Sequence, residues 1–247
     1  TQNFSTMMYT GSVQVLVEYK EIHNSYQDSV NDPDGLWIHQ GRTSLSEIST
    51  YTNSTKDVLV EKQSISTTNY DSYGNALNQT ITTYAEDGLT LINEKEVINT
   101  YVDLVNNPSG TWQINGQVAK SDVITYTNST HNMVVDRKVT IFTSYDNHDN
   151  ATSQNITTYG GDLSTVIDYK EIETSYIDNV NDPDGLWVKR GNAAISTTTT
   201  YSDTMKTTLL NKQIVNSTSY DIFGNALKQE ISKFATDENL KNEYRVK

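Results

Sequence analysis

Asn31-Asp32-Pro33-Asp34-Gly35-Leu36-Trp37 returns as Asn106-Asn107-Pro108-Ser109-Gly110-Thr111-Trp112 and again as Asn181-Asp182-Pro183-Asp184-Gly185-Leu186-Trp187. Trp37, Trp112 and Trp187 are the only tryptophans of the 247-residue chain, Pro33, Pro108 and Pro183 its only prolines, and each set is spaced by 75 residues. A fixed period without slippage is the signature of a repeat architecture, in which each module buries its apolar face against a neighbour.

The period runs through the rest of the chain. Tyr70-Asp71-Ser72-Tyr73-Gly74-Asn75 recurs as Tyr145-Asp146-Asn147-His148-Asp149-Asn150 and as Tyr220-Asp221-Ile222-Phe223-Gly224-Asn225. Tyr51, Tyr126 and Tyr201 are in register, as are Tyr84, Tyr159 and Phe234, with Tyr9 one period earlier. The organisation expected is a partial repeat over 1–25, full repeats over 26–100 and 101–175, and an incomplete one over 176–247, with no separate globular domain. A chain that begins and ends in mid-repeat reads as a piece of a longer array or as a processed mature chain. Copies one and three share YKEI, VNDPDGLW and GNAL, which points to a 150-residue unit of two alternating modules.

Composition narrows the class. A formal net charge of −13 opposes binding to a phosphate backbone, which needs clustered Lys and Arg. The absence of Cys excludes disulfide staples and zinc–thiolate sites. No apolar run reaches the ~18 residues of a membrane-spanning helix. Thr-, Asn- and Tyr-rich, Cys-free repeats suit an extracellular or cell-surface protein.

Strand formers dominate. From Tyr26 the aromatic landmarks fall at 26, 51, 70, 84 and 101, and each follows a run such as EIST, STTN, TITT or VINT. Thr, Tyr, Val and Ile favour strands, Asn, Asp and Gly punctuate them, and no 3.6-residue apolar period is present. Each step has room for two strands of about five residues and a turn. The expected fold is all-β: tandem antiparallel β-hairpins, four Tyr-led units per period, in an elongated sheet, shell or solenoid. An aliphatic residue often stands three before the aromatic, as in Ile48/Tyr51, Ile81/Tyr84 and Val123/Tyr126. Three is odd, so the two side chains should lie on opposite faces, with Thr two positions before the aromatic on the aromatic's own face. With 35% hydrophobic residues, a thin layer is expected rather than a thick core.

The proline stretch reads as a turn, with Pro33 at its second position and Gly35 closing it, repeated at Pro108/Gly110 and Pro183/Gly185. Leu36-Trp37-Ile38 then reads as a short strand and Gln40-Gly41 as a tight turn. Asn115-Gly116, the second copy of that turn, is a strong hairpin signal. The expectation is an extra hairpin with Trp at its base, the ring either capping the module core or standing exposed as a platform for a glycan or a neighbouring chain.

TNYDSYGNALNQTITTY and TSYDIFGNALKQEISKF resemble the YD repeats of the Rhs family of bacterial surface proteins. The matching residues are Tyr70, Asp71, Gly74 and Asn75, and Tyr220, Asp221, Gly224 and Asn225; copy two keeps Tyr145, Asp146 and Asn150 but has Asp149 where the family has Gly. The resemblance implies β-hairpins joined side by side into a long coiling sheet, in an exported structural protein. Nothing here resembles the plug or self-cleaving core of an Rhs shell, so the toxin role is not implied.

Chemistry-bearing patterns are scarce. His23, His39, His131 and His148 occupy four different repeat positions, whereas a repeated site would repeat its ligands, so they read as surface residues. No GxSxG, HExxH or phosphate-binding glycine loop occurs, and no enzyme activity or cofactor is expected. The acidic turn is a candidate calcium site: Asp32 and Asp34, repeated as Asp182 and Asp184, stand near Asp28 and Asp178. Copy two has Asn107 and Ser109 there and keeps only Asp103 as a carboxylate, so the alternative is a turn whose Asp and Asn bond to backbone. Asn-x-Ser/Thr acceptors stand at Asn3, Asn53, Asn78, Asn128, Asn150, Asn155 and Asn216.

Two functions follow as expectations. One is a structural segment of an extracellular filament, stalk or surface layer, whose partners are copies of itself or neighbouring repeats. The other is a repetitive adhesin that binds a surface glycan or protein through its Trp hairpins and gains strength by avidity. An Rhs-like shell segment is a further variant. Neither nucleic acid nor membrane insertion is expected.

Overall fold

A computed structural model of the chain describes residues 2–10, 13–234 and 240–246, with side chains for Gln2 and residues 18–234. The Tyr9 ring and the Asn3 acceptor amide lie outside the described side chains. Among the described residues the fold is all-β apart from three five-residue helices.

The chain divides into two compact units. The first, Thr1–Thr100 with Asp122–Arg137, holds β1 (Gln2–Thr10), β2 (Val13–Ser25), α1 (Leu36–Gln40), β3 (Leu45–Tyr51), β4 (Leu59–Tyr70), β5 (Ala76–Tyr84), β6 (Leu91–Thr100) and most of β7 (Lys120–Tyr126). The second, Tyr101–Ser121 with Lys138–Lys247, holds α2 (Thr111–Asn115), most of β8 (Val134–Tyr145), β9 (Ala151–Tyr159), β10 (Val166–Ser175), α3 (Leu186–Arg190), β11 (Ile195–Tyr201), β12 (Leu209–Tyr220), β13 (Ala226–Phe234) and β14 (Leu240–Val246). Within each unit successive strands pair antiparallel in sequence order, from β1 to β6 in the first and from β9 to β14 in the second.

Each step between aromatic landmarks carries one strand, not the two expected. β3 to β6 are 7, 12, 9 and 10 residues long, and β3, β4 and β5 end on Tyr51, Tyr70 and Tyr84. The physical reason is a lack of punctuation: runs such as LVEKQSISTTNY contain no Gly or Pro, so nothing folds them back on themselves. Reversal waits for the polar cluster after each aromatic.

Facing also departs from simple alternation. The deeply buried hydroxyls Thr50, Thr83 and Thr200 lie one residue before the aromatic, and Thr50 and Thr83 are two residues after the aliphatic Ile48 and Ile81. At those same points the register to the next strand slips, between Thr50 and Tyr51, Thr83 and Tyr84, and Thr200 and Tyr201. A bulge of this kind re-aims the residue that follows it, so counting odd and even positions fails there. Aliphatic side chains meet across strands at Ile22–Ile48 and Ile65–Ile81 in the first unit, and at Val215–Ile231 in the second. Among the described residues no large side chain is less than 2% exposed. The short helices each bury one large ring, and Trp37, Trp112 and Trp187 keep 7%, 7% and 8% of their surface.

Candidate functional site

Each proline stretch builds a corner. Gly35 N–H donates to Asp32 O at 3.1 Å, closing a turn with Pro33 at its second position, and Gly35 takes φ +66°. The Asp32 carboxylate then accepts Leu36 N–H at 3.0 Å and Trp37 N–H at 2.7 Å. Asp182 repeats this with Leu186 and Trp187 at 3.0 and 2.6 Å. In the middle copy Asn107 stands in, accepting from Trp112 N–H at 2.7 Å and Thr111 N–H at 3.0 Å. Its amide is oriented with oxygen toward the helix because a backbone N–H can only donate. The orphan N–H groups of the helix are thus satisfied by a side chain three positions before the capping glycine.

These five residues form helices, not the strand and hairpin expected. At the far end Gly116 N–H donates to Gln113 O and Gln117 N–H to Trp112 O, with Gly116 at φ 74°. That is the Schellman closure of a helix. A left-handed glycine serves a helix C-terminus as readily as a hairpin turn, which is why Asn115-Gly116 misled the sequence reading.

The tryptophan of each helix meets the tyrosine of the YD motif edge to face: Trp37–Tyr70 at 5.0 Å and 78°, Trp112–Tyr145 at 5.1 Å and 73°, Trp187–Tyr220 at 4.8 Å and 74°. The tyrosine hydroxyls donate to Thr43 O, Val118 O and Ala193 O at 2.7, 2.8 and 2.7 Å. The motif's Asp and Asn shape the turn that follows. Asp71 Oδ1 accepts Tyr73 N–H and Asn75 N–H, and Asp71 Oδ2 accepts Asn75 Nδ2, all at 2.9 Å. Asp146 and Asp221 make the same three bonds to residues 148 and 150, and to residues 223 and 225. Gly74 and Gly224 lie at φ 93° and 86°, and Asp149 keeps the left-handed backbone at 65°. The middle turn therefore has the same shape as the others.

The sequence-derived site residues thus fall into two local devices, the helix corner and the YD turn, joined by the Trp–Tyr contact. Of the two expectations for the tryptophans, a core cap or an exposed platform, their burial matches the core cap. Of the carboxylates weighed for calcium, Asp32 and Asp182 are spent on helix N–H groups, while Asp34 and Asp184 are exposed. Asp28 accepts Val30 N–H, Asn31 N–H and Asn31 Nδ2 at 3.0, 2.9 and 2.7 Å. The side-chain bond from Asn31 leads in holding its carboxyl below the usual range. Among the described residues no three His, Cys, Asp or Glu groups converge as metal ligands do.

Sequence reasoning missed one cluster. His131, at φ 57°, takes the loop position held by Lys56 and Lys206 in the other copies. Lys56 pairs with Glu21 at 2.6 Å and Lys206 with Glu171 at 2.5 Å. His131 Nδ1 meets Glu96 Oε1 at 3.2 Å, its Nε2 contacts Glu94, and its ring stacks on Tyr126 at 4.3 Å. The Tyr126 hydroxyl donates to Glu96 at 2.8 Å. Burial, then that bond and the two glutamates, push Tyr126 up to about 12. The signal in the sequence was Lys–His–Lys at a 75-residue spacing: a shared cation position, not three unrelated residues.

No family model matches the chain, and no curated protein matches it. Among solved structures it is similar to a porin-like protein from Bacteroides vulgatus, at 8% identity and a TM-score of 0.41, over 98% of this chain and 94% of that one.

Proposed function

We propose that the chain is a segment of an exported structural array, related in design to YD-repeat proteins, in which antiparallel modules are added side by side and the repeat is itself the function. One observation carries this reading. The corner is rebuilt three times with Trp–Tyr distances between 4.8 and 5.1 Å, and the recurring residues are those that cap helices, close turns and fill the core. A chain under selection for chemistry would hold one constellation constant; here the constant element is architecture. Open edge strands supply the route to assembly, because an unpaired ladder is a template for another strand. On this reading the partners are neighbouring repeats or further copies, and the setting is extracellular.

Electron microscopy of the chain over a range of concentrations tests the proposal. Regular fibres that lengthen with concentration are the expected result. Short particles of one length at every concentration would remove self-assembly of this segment from the account.

A further inference from the structure

Position 149 differs from its counterparts in a way that points to a ligand. In the middle copy the Asp149 carboxylate is gripped by its own chain: Gln117 Nε2 donates to it at 2.8 Å and Asn115 Nδ2 at 3.4 Å. The first and third copies keep the gripping position but have glycine in place of the acid. A Cβ built on Gly74 would meet Arg42 Nε at 3.5 Å and Nη2 at 3.7 Å, and one on Gly224 would meet Asn192 Oδ1 at 3.0 Å and Nδ2 at 3.7 Å. Asn192 Nδ2 is buried without a partner. The Arg42 guanidinium has five N–H donors, of which one reaches Ser72 O at 3.3 Å while the group lies over the Tyr70 ring at 5.6 Å. In copy one a donor group therefore faces a place from which the chain's own carboxylate is missing, whereas in copy three the nearest atom is the Asn192 amide oxygen, an acceptor.

The surroundings define what else the ligand carries. Gln40, Arg42, Thr43, Tyr70, Tyr73 and Gly74 line one open groove. Tyr73 stands 56% exposed on its rim, and Phe223, its counterpart, is 73% exposed. An aromatic face in water, beside amide and hydroxyl groups, suits the C–H face of a sugar ring ringed by hydroxyls.

We propose that this groove binds a carboxylated saccharide. The sugar carboxylate takes the place that Asp149 fills in the middle copy, and the sugar ring stacks on Tyr73. The difference between copies then has a function: the first site is open and the second is closed by its own acid. Each site is shallow and weak alone, and an array of them gains through multivalency. This inference stands apart from the architectural reading and survives if the segment does not form fibres.

The test is calorimetric titration of the full chain with short oligogalacturonate, oligoglucuronate and a sialylated oligosaccharide. Methyl-esterified oligogalacturonate and an oligoglutamate peptide serve as comparisons. Binding of at least one carboxylated sugar, lost on esterification, is expected. Gly74→Asp, which closes the first groove as Asp149 closes the second, should lower affinity there by about tenfold or more. Asp149→Gly should add a site. An unchanged melting profile for each variant shows that the fold is intact. Equal binding of the methyl ester, preference for oligoglutamate, no binding of any sugar, or binding untouched by Gly74→Asp in an intact fold would each overturn the proposal.

Discussion

Residues 32, 107 and 182 are Asp, Asn and Asp, and all three hold the first two N–H groups of a short helix. The middle copy shows that charge is dispensable and the acceptor is not. Asp32→Asn is therefore expected to leave stability nearly unchanged, whereas Asp32→Ala should cost about 1–2 kcal/mol, the range for lost helix caps, as read from urea denaturation. Other carboxylates set the acid limit. The side-chain bond from Thr165, then the backbone N–H groups of Thr165 and Ser164, pull the Asp162 carboxyl from 3.8 to about 2. The Thr90 hydroxyl draws Asp87 down likewise, and the Asn225 side chain draws down Asp221. For groups whose folded pKa lies below the unfolded one, the stability they bring is present above the unfolded value and lost as pH falls through the folded value. Melting temperature should hold near neutral pH and decline between about 4 and about 2. A decline that begins well above that window would assign the acid limit to other groups.

The short helix is the element that sequence reading rendered wrongly, and its glycines explain why. Gly35 and Gly41, with their counterparts, sit at positive φ on either side of five residues, so the local signal is two left-handed points, which a hairpin and a capped helix share. The decision is tertiary: only the helix turns the Trp37 ring onto Tyr70 while giving its N–H groups to Asp32. Strand positions were legible from Thr, Ile and Val runs ending at tyrosine. Strand number was not, because length alone allows one long strand or two short ones. The YD turn was legible as a motif, but its mechanism, an Asp binding the N–H groups two and four residues on, depends on side-chain geometry that spacing alone does not specify. The glycines also separate two costs. A Cβ at Gly110 meets nothing within 4 Å, whereas one at Gly191 meets Asn150 Oδ1 at 3.0 Å. Gly110→Ala should cost about 1 kcal/mol, from backbone conformation alone. Gly191→Ala should cost more, since Asn150 also donates to Val188 O at 2.7 Å and cannot simply swing away. Equal losses in denaturant titrations would mean that Asn150 yields freely.

For the whole molecule, charge decides how readily copies meet. A chain of net charge −13 repels its own kind, and the repulsion between exposed charges is screened over about 10 Å at 0.1 M salt. If edges join, raising salt from about 0.01 M to about 0.15 M should lengthen the assemblies, as followed by light scattering. Shortening would mean that attraction between opposite charges holds the junction. The tyrosines of the YD motif reach back 27 residues for their hydroxyl acceptors, and strand partners are sequence neighbours. Loop closure over such short separations is fast, so the search for native pairings never has to scan the length of the chain. Each period can complete itself as soon as its own residues have left the ribosome, and synthesis rate, not topology, then sets the pace at which the array matures.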